Sequence, residues 1–380
     1  MKRILLFLFG LVVAGSSAAG AACCYFAALD KDVNQPGQRA FITWDEEKAM
    51  ESFTVQPIFE GNATDFGMVI PTPARPKLQE MPRDFFKALA VFTILEPMDM
   101  DKFKQRMRVY KSSADGAARP TAARRVEVRV LEAGVVGSLD YKILEADRAQ
   151  ALYDWLKQNK YVYSGDAGTL DYYIKKKWTF TVMKIDPRQM KKNADGTYKG
   201  EITPTRFTFS SKQPIYPLRI TKISVKDRTD ALLYVMAKRK MDMPKRWSYQ
   251  PSFLSMWSQA MSFAVPAKLT AQEKQYLDLV RNVDLEPSSS SSNLEWAGKL
   301  TRARLACLTD PKKYNRQAPE AEVKNLKLLS GHLKQDWFLT KFRHSFTPAE
   351  MTEDLVLVNA TIGKSKDDLE YVSILPTSPP

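Results

Sequence analysis

The chain has 380 residues, of which 44% are hydrophobic and 26% are charged, and this composition excludes intrinsic disorder as its main state. The length allows one large domain or two ordinary ones, each with ample core. A net charge of +14 favours anionic partners, namely acidic polysaccharide, cell-wall polymer or anionic lipid.

Residues 1–22 have the pattern of a secretory signal peptide. Lys2 and Arg3 precede an apolar run over residues 4–14, and the small residues 19–22 offer a cleavage site. We therefore expect an exported protein, periplasmic or extracellular, and nucleic acid is not an expected partner in that compartment. No later stretch reaches the roughly 18 consecutive apolar residues of a membrane helix, so no transmembrane helix is expected in the mature chain.

The three cysteines are compatible with a lipid anchor, a disulfide or free thiols. Cys23 follows the small residues and is a candidate lipid acceptor, although Gly20 stands where lipoprotein signals carry a leucine-like residue. Cys24 and Cys307 are the candidates for a disulfide, which an oxidising compartment would favour. If Cys23 is not lipidated, it is an alternative partner for Cys307. Free thiols with a buried Cys307 are the third alternative.

Apolar residues that alternate with polar ones predict many strands separated by turn signals. In chain order the predicted strands cover residues 39–44, 51–59, 65–70, 105–110, 125–131, 138–144, 178–185, 201–209, 215–225, 231–237 and 337–346. We expect the first three to form a meander. The third should end at Pro71, because proline has no N–H for the ladder.

Helical periodicity is clearest in a few shorter stretches. The predicted helices cover residues 83–92, 145–160, 169–174, 270–281 and 293–308. Together these elements predict an α+β fold, a mostly antiparallel β-rich body with packed helices and a helix-richer C-terminal region.

One low-complexity stretch suggests an internal boundary. Residues 287–292 read PSSSSS, which is typical of a flexible linker. The sequence therefore predicts a β-rich domain over residues 23–286. A C-terminal helical region with a late strand, packed on that domain, follows over residues 293–380.

The residues that usually carry chemistry are sparse. The only histidines, His332 and His344, lack a zinc-binding spacing, so no metal site is predicted. Neither a phosphate-cradling glycine loop nor a dinucleotide fingerprint occurs, so no cofactor is predicted, and a nucleophile elbow is also missing. A serine–lysine site assembled from distant residues stays open as an alternative.

Two runs of basic residues are the candidate binding surface. They consist of Lys175, Lys176, Lys177, Lys238, Arg239 and Lys240. A shared patch for an anionic polymer is the functional interpretation. The alternative is that these cations solvate turns and protect sheet edges.

Five segments resemble a known family. They are Cys23-Cys24, the sequence DFGMVIPTPARP at 65–76 after Gly61, YDWL at 153–156, GEITPTRFTFSSKQPIYPLRI at 200–220 and FTPAEMTEDL at 346–355. On these segments the chain resembles the bacterial exported family catalogued as domain of unknown function 2330. At Met68 that family more often has tryptophan, and the long membrane-anchored tail of some relatives is missing here, which weakens any inference about anchoring. The resemblance implies no activity and no catalytic residues.

From these patterns we expect an exported, non-enzymatic binding module of the cell envelope or the extracellular space, with affinity for an anionic polymer or lipid surface. The alternative is a secreted hydrolase whose active site is assembled from distant residues. A deep pocket with converging Ser, Lys, His or paired carboxylates would favour the hydrolase.

Overall fold

Two β-sheets lie face to face, with helices on their outer sides. A computed structural model of the protein describes residues 25–28, 33–61, 66–94, 129–136, 139–159, 167–185, 191–192, 198–201, 203–245, 247, 293–316, 318–361 and 369–370. The strands are β1 (Tyr25–Ala28), β2 (Val33–Asp45), β3 (Met50–Gly61), β4 (Phe66–Thr72), β5 (Lys77–Glu80), β6 (Arg129–Val136), β7 (Leu139–Glu145), β8 (Thr179–Ile185), β9 (Lys191–Lys192), β10 (Tyr198–Glu201), β11 (Thr205–Ser210), β12 (Ile215–Tyr216), β13 (Thr229–Ala237), β14 (Met241–Asp242), β15 (Asn293–Lys299), β16 (Phe338–Phe346), β17 (Leu355–Val356), β18 (Val358–Asn359) and β19 (Leu369–Glu370).

The helices are short. The α-helices are α1 (Phe85–Phe92), α2 (Ala149–Gln158), α3 (Ala167–Lys175), α4 (Leu218–Thr221), α5 (Arg302–Leu305) and α6 (Glu320–Lys324). Single turns of 3-10 helix cover Lys222–Ser224, Ala306–Leu308, Pro311–Lys313 and Asn325–Leu329.

The larger sheet contains strands from both ends of the chain. Its order is β19-β15-β16-β13-β2-β3-β10-β9, and β11 and β5 extend it from β3. Its ladders are antiparallel except for the parallel pairing of β13 with β2. The smaller sheet, β1-β4-β8-β7-β6, is antiparallel throughout. The predicted α+β class with mostly antiparallel sheets and a helix-richer C-terminal region is therefore confirmed.

Successive side chains of a strand point to opposite faces of its sheet, and both faces of both sheets are covered, so the protein has four layers. In β2, Ile42 faces the apolar layer that Met68 and Met183 of the smaller sheet share, whereas Phe41 points to the opposite side. That opposite side is covered by α1 and the C-terminal helices. The outer face of the smaller sheet packs against α2 and α3 through residues such as Leu152 and Tyr173. The order of layers is helices, small sheet, large sheet, helices.

The predicted meander of the first three strands is wrong. β2 and β3 pair in the larger sheet, but β4 lies in the smaller one between β1 and β8. Met68 and Val69 are both buried and face opposite apolar layers, which requires a strand covered on both faces. The strand also continues through Pro71 to Thr72. Among the described residues, β1 pairs with β4 only as far as Val69, so at Pro71 the strand lies at a sheet edge, where proline is tolerated.

The predicted strand over residues 215–225 is also wrong beyond its first two residues. β12 ends at Tyr216, Pro217 follows, and α4 begins at Leu218. The helical turn is fixed from outside, because the backbone N–H of Arg219 donates to Asp354 Oδ1 at 3.2 Å. The partner that decides this conformation is more than a hundred residues away, so local alternation could not indicate it.

The predicted helix over residues 293–308 is wrong in its first half. Asn293–Lys299 forms β15, and helix begins only at Arg302. A β-bulge between Leu294 and Trp296 changes the side to which the following side chains point. Leu294 and Ala297, three residues apart, therefore share one face, a spacing that is also typical of a helix.

Several predictions lie outside the described residues. These are the signal peptide at 1–22, the strand at 105–110, the helix at 270–281 and the linker at 287–292. The division at 287–292 stays a prediction. Within the described residues, β16 from the C-terminal region lies between β13 and β15 in the larger sheet.

Candidate functional site

A basic, aromatic cleft lies on the outer helical side of the larger sheet. It has a volume of about 300 Å³. Its lining consists of Phe92, Trp296, Ala303, Arg304, Cys307, Lys313, Tyr314, Asn315 and Arg316. These residues come from the end of α1, from β15 and from the short helical turns that follow β15.

The bulge in β15 places Trp296 in the cleft wall. Trp296 pairs with Lys341 of β16, and its side chain is 1% exposed and 6.1 Å from the ring of Phe92. Its indole Nε1 has no hydrogen-bond partner among the described residues. A buried N–H without an acceptor is unusual, because buried polar groups are nearly always paired.

Arg304 is held over the same indole ring. Its guanidinium carbon is 5.5 Å from the centroid of Trp296, and Nη1 donates to the Lys299 carbonyl at 3.0 Å. The Thr301 hydroxyl caps the start of α5 by accepting from the Arg304 N–H at 3.3 Å. A Cβ at Gly298 would overlap Arg304 Nη1, so this close arrangement requires glycine there.

The opposite wall is tied to the end of α1. Tyr314 donates its hydroxyl proton to the Val91 carbonyl at 2.7 Å, and Arg316 Nη1 donates to the Ile94 carbonyl at 2.9 Å. The Val91 carbonyl belongs to the last turn of α1 and also accepts from the Ile94 N–H at 3.2 Å, and Ile94 follows the C-cap residue Thr93. The two contacts fix an aromatic ring and a second guanidinium beside the cleft.

Cys307 is the one nucleophilic side chain in the cleft lining. It is 5% exposed, and its thiol donates to the Arg304 carbonyl at 3.2 Å. Burial raises the pKa of the Cys307 thiol, and the nearby Arg316 offsets this effect only in part. The thiol is therefore protonated at neutral pH, which disfavours nucleophilic chemistry.

All charged side chains of the cleft lining are positive. Arg304, Lys313 and Arg316 are cationic, and the lining contains no carboxylate, histidine or serine. Lys313 has a distant ion pair with Asp310 at 4.0 Å, on the exposed side. The arrangement is suited to holding an anion next to aromatic rings.

A buried ion cluster supports the cleft from behind. Glu295, in the same bulge as Trp296, accepts from Lys341 Nζ at 2.8 Å and from Arg343 Nε. Burial alone would raise the pKa of Glu295, but the two cations lower it below its usual value. The cluster fixes the strand segment that presents the indole ring.

The first predicted basic run, Lys175 to Lys177, lies where α3 ends and β8 begins. Lys175 pairs with Asp171 one turn away. Lys176 Nζ donates to Tyr172 Oη at 2.6 Å and to the buried Asp354 at 3.3 Å. Lys176 therefore connects α3 to the segment at 346–355, which is a role in holding the fold together.

The second predicted run, at the end of β13, is not a simple surface patch. Lys238 pairs with Glu47 at 2.5 Å, and Arg239 pairs with Glu46 at 3.5 Å. Lys240 is 1% exposed and lies inside the protein. None of the six residues lines the cleft.

The cysteine predictions stay open. Cys307 is a buried free thiol in the structure. Cys23 and Cys24 lie outside the described residues, so neither lipidation nor a pairing of Cys24 with Cys307 is tested.

Within the described part of the chain, no three His, Cys, Asp or Glu side chains are placed to hold a metal ion. In the same residues no helix is both long and apolar enough to cross a membrane.

The cations that line the cleft do not form a long contiguous run, so a pattern of adjacent cations does not indicate them. Residues 302–316 contain five cations and a single acidic residue, Asp310, but no more than two of the cations, Lys312 and Lys313, are adjacent. Trp296 before this stretch and Tyr314 within it were the second signal. A count of charge over a longer window would have pointed to this segment.

The comparisons with known proteins place the chain in one family. A family model described as "Uncharacterized protein conserved in bacteria (DUF2330)" matches residues 17–358. This match confirms the resemblance found in the sequence. Neither a curated protein nor a solved structure shows a significant match to the chain.

Proposed function

Since the chain belongs to the bacterial DUF2330 family, whose description names no activity, we propose from its own geometry that it is an exported, non-enzymatic module that binds an anionic group in the cleft. The observation that carries this proposal is the lining itself. It combines three cations with aromatic rings and contains no carboxylate.

The two guanidinium groups support an oxyanion as the ligand. Arg304 and Arg316 each carry a planar guanidinium, and backbone carbonyls orient both. A planar guanidinium matches the two oxygens of a carboxylate or a phosphate. Orientation before binding reduces the side-chain entropy that is lost when the complex forms.

The size of the cleft limits what enters it. About 300 Å³ is at the lower end of the range for small-molecule sites, roughly 300–1000 Å³. One charged group with a ring attached fits that volume, for example one unit of a polymer that continues outside. The half-buried ring of Tyr314 offers a flat apolar surface for such a ring, whereas Trp296 is buried and supports the cleft from beneath Arg304. An acidic envelope polymer therefore suits the site better than a flat lipid surface.

The lining offers little support for a hydrolase. General-base catalysis requires a base within hydrogen-bond reach of a nucleophile. Cys307 donates to a backbone carbonyl instead, and neither histidine nor carboxylate lines the cleft.

The test is a binding measurement on the mature protein with defined oligomers. Isothermal titration with trigalacturonate, with a glycerol phosphate oligomer and with neutral cellotriose separates charge from shape. We expect at least one anionic oligomer to bind and cellotriose to bind weakly. Replacing Arg304→Gln together with Arg316→Gln should weaken binding about a hundredfold, because two charge-assisted contacts are lost.

The matched control removes the same charge elsewhere. Lys175→Gln with Lys177→Gln lowers the net charge equally at the first predicted basic run, and binding should stay within about twofold of the wild type. Equal weakening by both double variants would indicate general charge attraction and contradict the cleft proposal. Binding that is unchanged between about 0.05 and 0.5 M salt would contradict its electrostatic basis.

A further inference from the structure

Arg206 is a half-buried cation without a counter-ion in the part of the chain that the structure describes. It lies in the middle of β11, opposite Thr54 of β3, and its Nε donates to the Thr54 hydroxyl at 3.1 Å. Its Nη1 lies 3.0 Å from Nδ1 of His332. No carboxylate among the described residues pairs with it.

The contrast with Arg343 shows how unusual this is. Arg343 is also half-buried, but Glu295 neutralises it and raises its pKa. Burial lowers the pKa of Arg206 to about 10, and no negative charge offsets the effect. A charge withdrawn from water without compensation is costly, and proteins normally pair it.

His332 is a neutral partner of Arg206, and its ring supplies a further N–H donor. Because the Arg206 N–H donates to Nδ1, the ring proton of a neutral His332 is assigned to Nε2. The edge of the ring meets Phe85 at 5.4 Å, which fixes its orientation. Nε2 has no hydrogen-bond partner among the described residues. The pair therefore presents guanidinium N–H groups and an imidazole N–H without an acceptor.

We propose that Arg206 and His332 form a site for a small oxyanion, either a phosphate or a carboxylate, that supplies the missing counter-ion. Both side chains are half-buried, so the pair is in contact with water on one side. This site is separate from the cleft, because neither residue lines it. The proposal does not depend on the proposed function.

The two histidines of the chain make a direct test possible. NMR of the mature protein resolves two imidazole signals, because His332 and His344 are the only histidines, and His332→Gln assigns them by loss of one signal. Inorganic phosphate and acetate are titrated separately at constant ionic strength. We expect the His332 signal to shift saturably with at least one anion while His344, which is 3% exposed, does not shift. The anion that saturates at the lower concentration identifies the preferred group.

Variants separate this site from the cleft and from general charge effects. The saturable shift should persist in Arg304→Gln/Arg316→Gln and in Arg83→Gln, which removes an exposed cation near α1. In Arg206→Gln the midpoint concentration should rise at least tenfold. Arg206→Lys keeps the positive charge but lacks the planar guanidinium, and it should raise the midpoint concentration severalfold. It replaces Arg206→Gln as the test if the glutamine variant does not fold.

Three results would overturn the proposal. The first is the absence of a saturable shift with either anion. The second is an equal shift of both histidines, and the third is an unchanged midpoint in a folded Arg206 variant. Loss of the shift in Arg83→Gln would assign it to net charge and would also count against the site.

Discussion

Glu51 and Glu295 are both buried in the larger sheet, yet their surroundings shift their pKa values in opposite directions. Glu295 lies on the outer helical side with two cations around its carboxylate. Glu51 is 0% exposed and faces the apolar layer between the sheets, opposite Trp44 and Phe209. Its Oε2 accepts from the Ile215 N–H at 3.0 Å, and its Oε1 has no partner among the described residues.

The comparison separates burial from charge pairing. Burial raises the pKa of Glu51 well above its usual value, and a single backbone N–H offsets this only in part. At Glu295 the attraction of Lys341 and Arg343 exceeds the same burial effect and lowers the pKa. At these two positions, the presence of cations beside the carboxylate decides whether its pKa is lowered or raised.

Glu295→Gln should have the largest effect. The substitution leaves Lys341 buried without its counter-ion, and the free energy of unfolding should fall by about 3–5 kcal/mol. Urea unfolding followed by circular dichroism measures the change.

The paired control for this variant is Glu295→Leu combined with Lys341→Met. Removing both charges of the buried pair should restore more than half of the lost stability. A double variant as unstable as Glu295→Gln would show that the charge of Lys341 is not the cause.

Glu51→Gln should instead raise the free energy of unfolding. Glutamine resembles the protonated acid, so at pH 8 the variant should be more stable by on the order of 1–3 kcal/mol. Because the folded pKa of Glu51 is raised, the wild type loses stability as pH rises from about 4.5 through the folded value. The advantage of the variant should therefore disappear near pH 4.

The pH dependence of stability that Glu295 contributes is the comparison for that experiment. Its folded pKa is lowered, so its stabilising contribution is present above pH 4.5 and is lost as pH falls through the folded value. Unfolding of the wild type and both variants between about pH 2.5 and pH 8 compares the two slopes directly, with the Glu295 slope below pH 4.5 and the Glu51 slope above it. If Glu51→Gln were more stable than the wild type by the same amount at every pH, the assignment of a raised pKa to Glu51 would be wrong.

Asp354 is the intermediate case and should give the smallest effect. Burial raises its pKa, although Lys176, the Tyr173 hydroxyl and the Arg219 N–H all stabilise the charged form. Tyr173→Phe removes the 2.6 Å hydrogen bond to Asp354 and should cost about 1–2 kcal/mol. Tyr153→Phe, on the exposed face of α2, serves as the control and should change stability by less than about 0.5 kcal/mol.

Much of the sheet structure could be predicted from the sequence, because period-two alternation is strong where one face is buried. β11 follows this pattern closely, whereas β13 and β16 are buried on both faces over most of their length and were predicted from their apolar runs. β15 does not follow the alternation, because its bulge changes the spacing of Leu294 and Ala297 to a helical one. The pairing of strands was not accessible, since the apolar run of β4 predicts a buried strand but does not indicate that it belongs to the other sheet.

The candidate site could be predicted only in part. Its positive charge is visible in residues 302–316, but the aromatic wall from α1 is more than 200 residues earlier in the chain. The burial of Glu51 illustrates the same limit. Alternation with Phe53 and Val55 places it on the inner face, and only the fold shows that no cation lies opposite.

The parallel pairing of β13 with β2 has a consequence for the time course of folding. Ala40 pairs with Leu233, so the centre of the larger sheet joins residues about 190 positions apart. Contacts of such long range slow folding, because a large loop must close before they form. β2 therefore has no parallel partner until synthesis has passed β13.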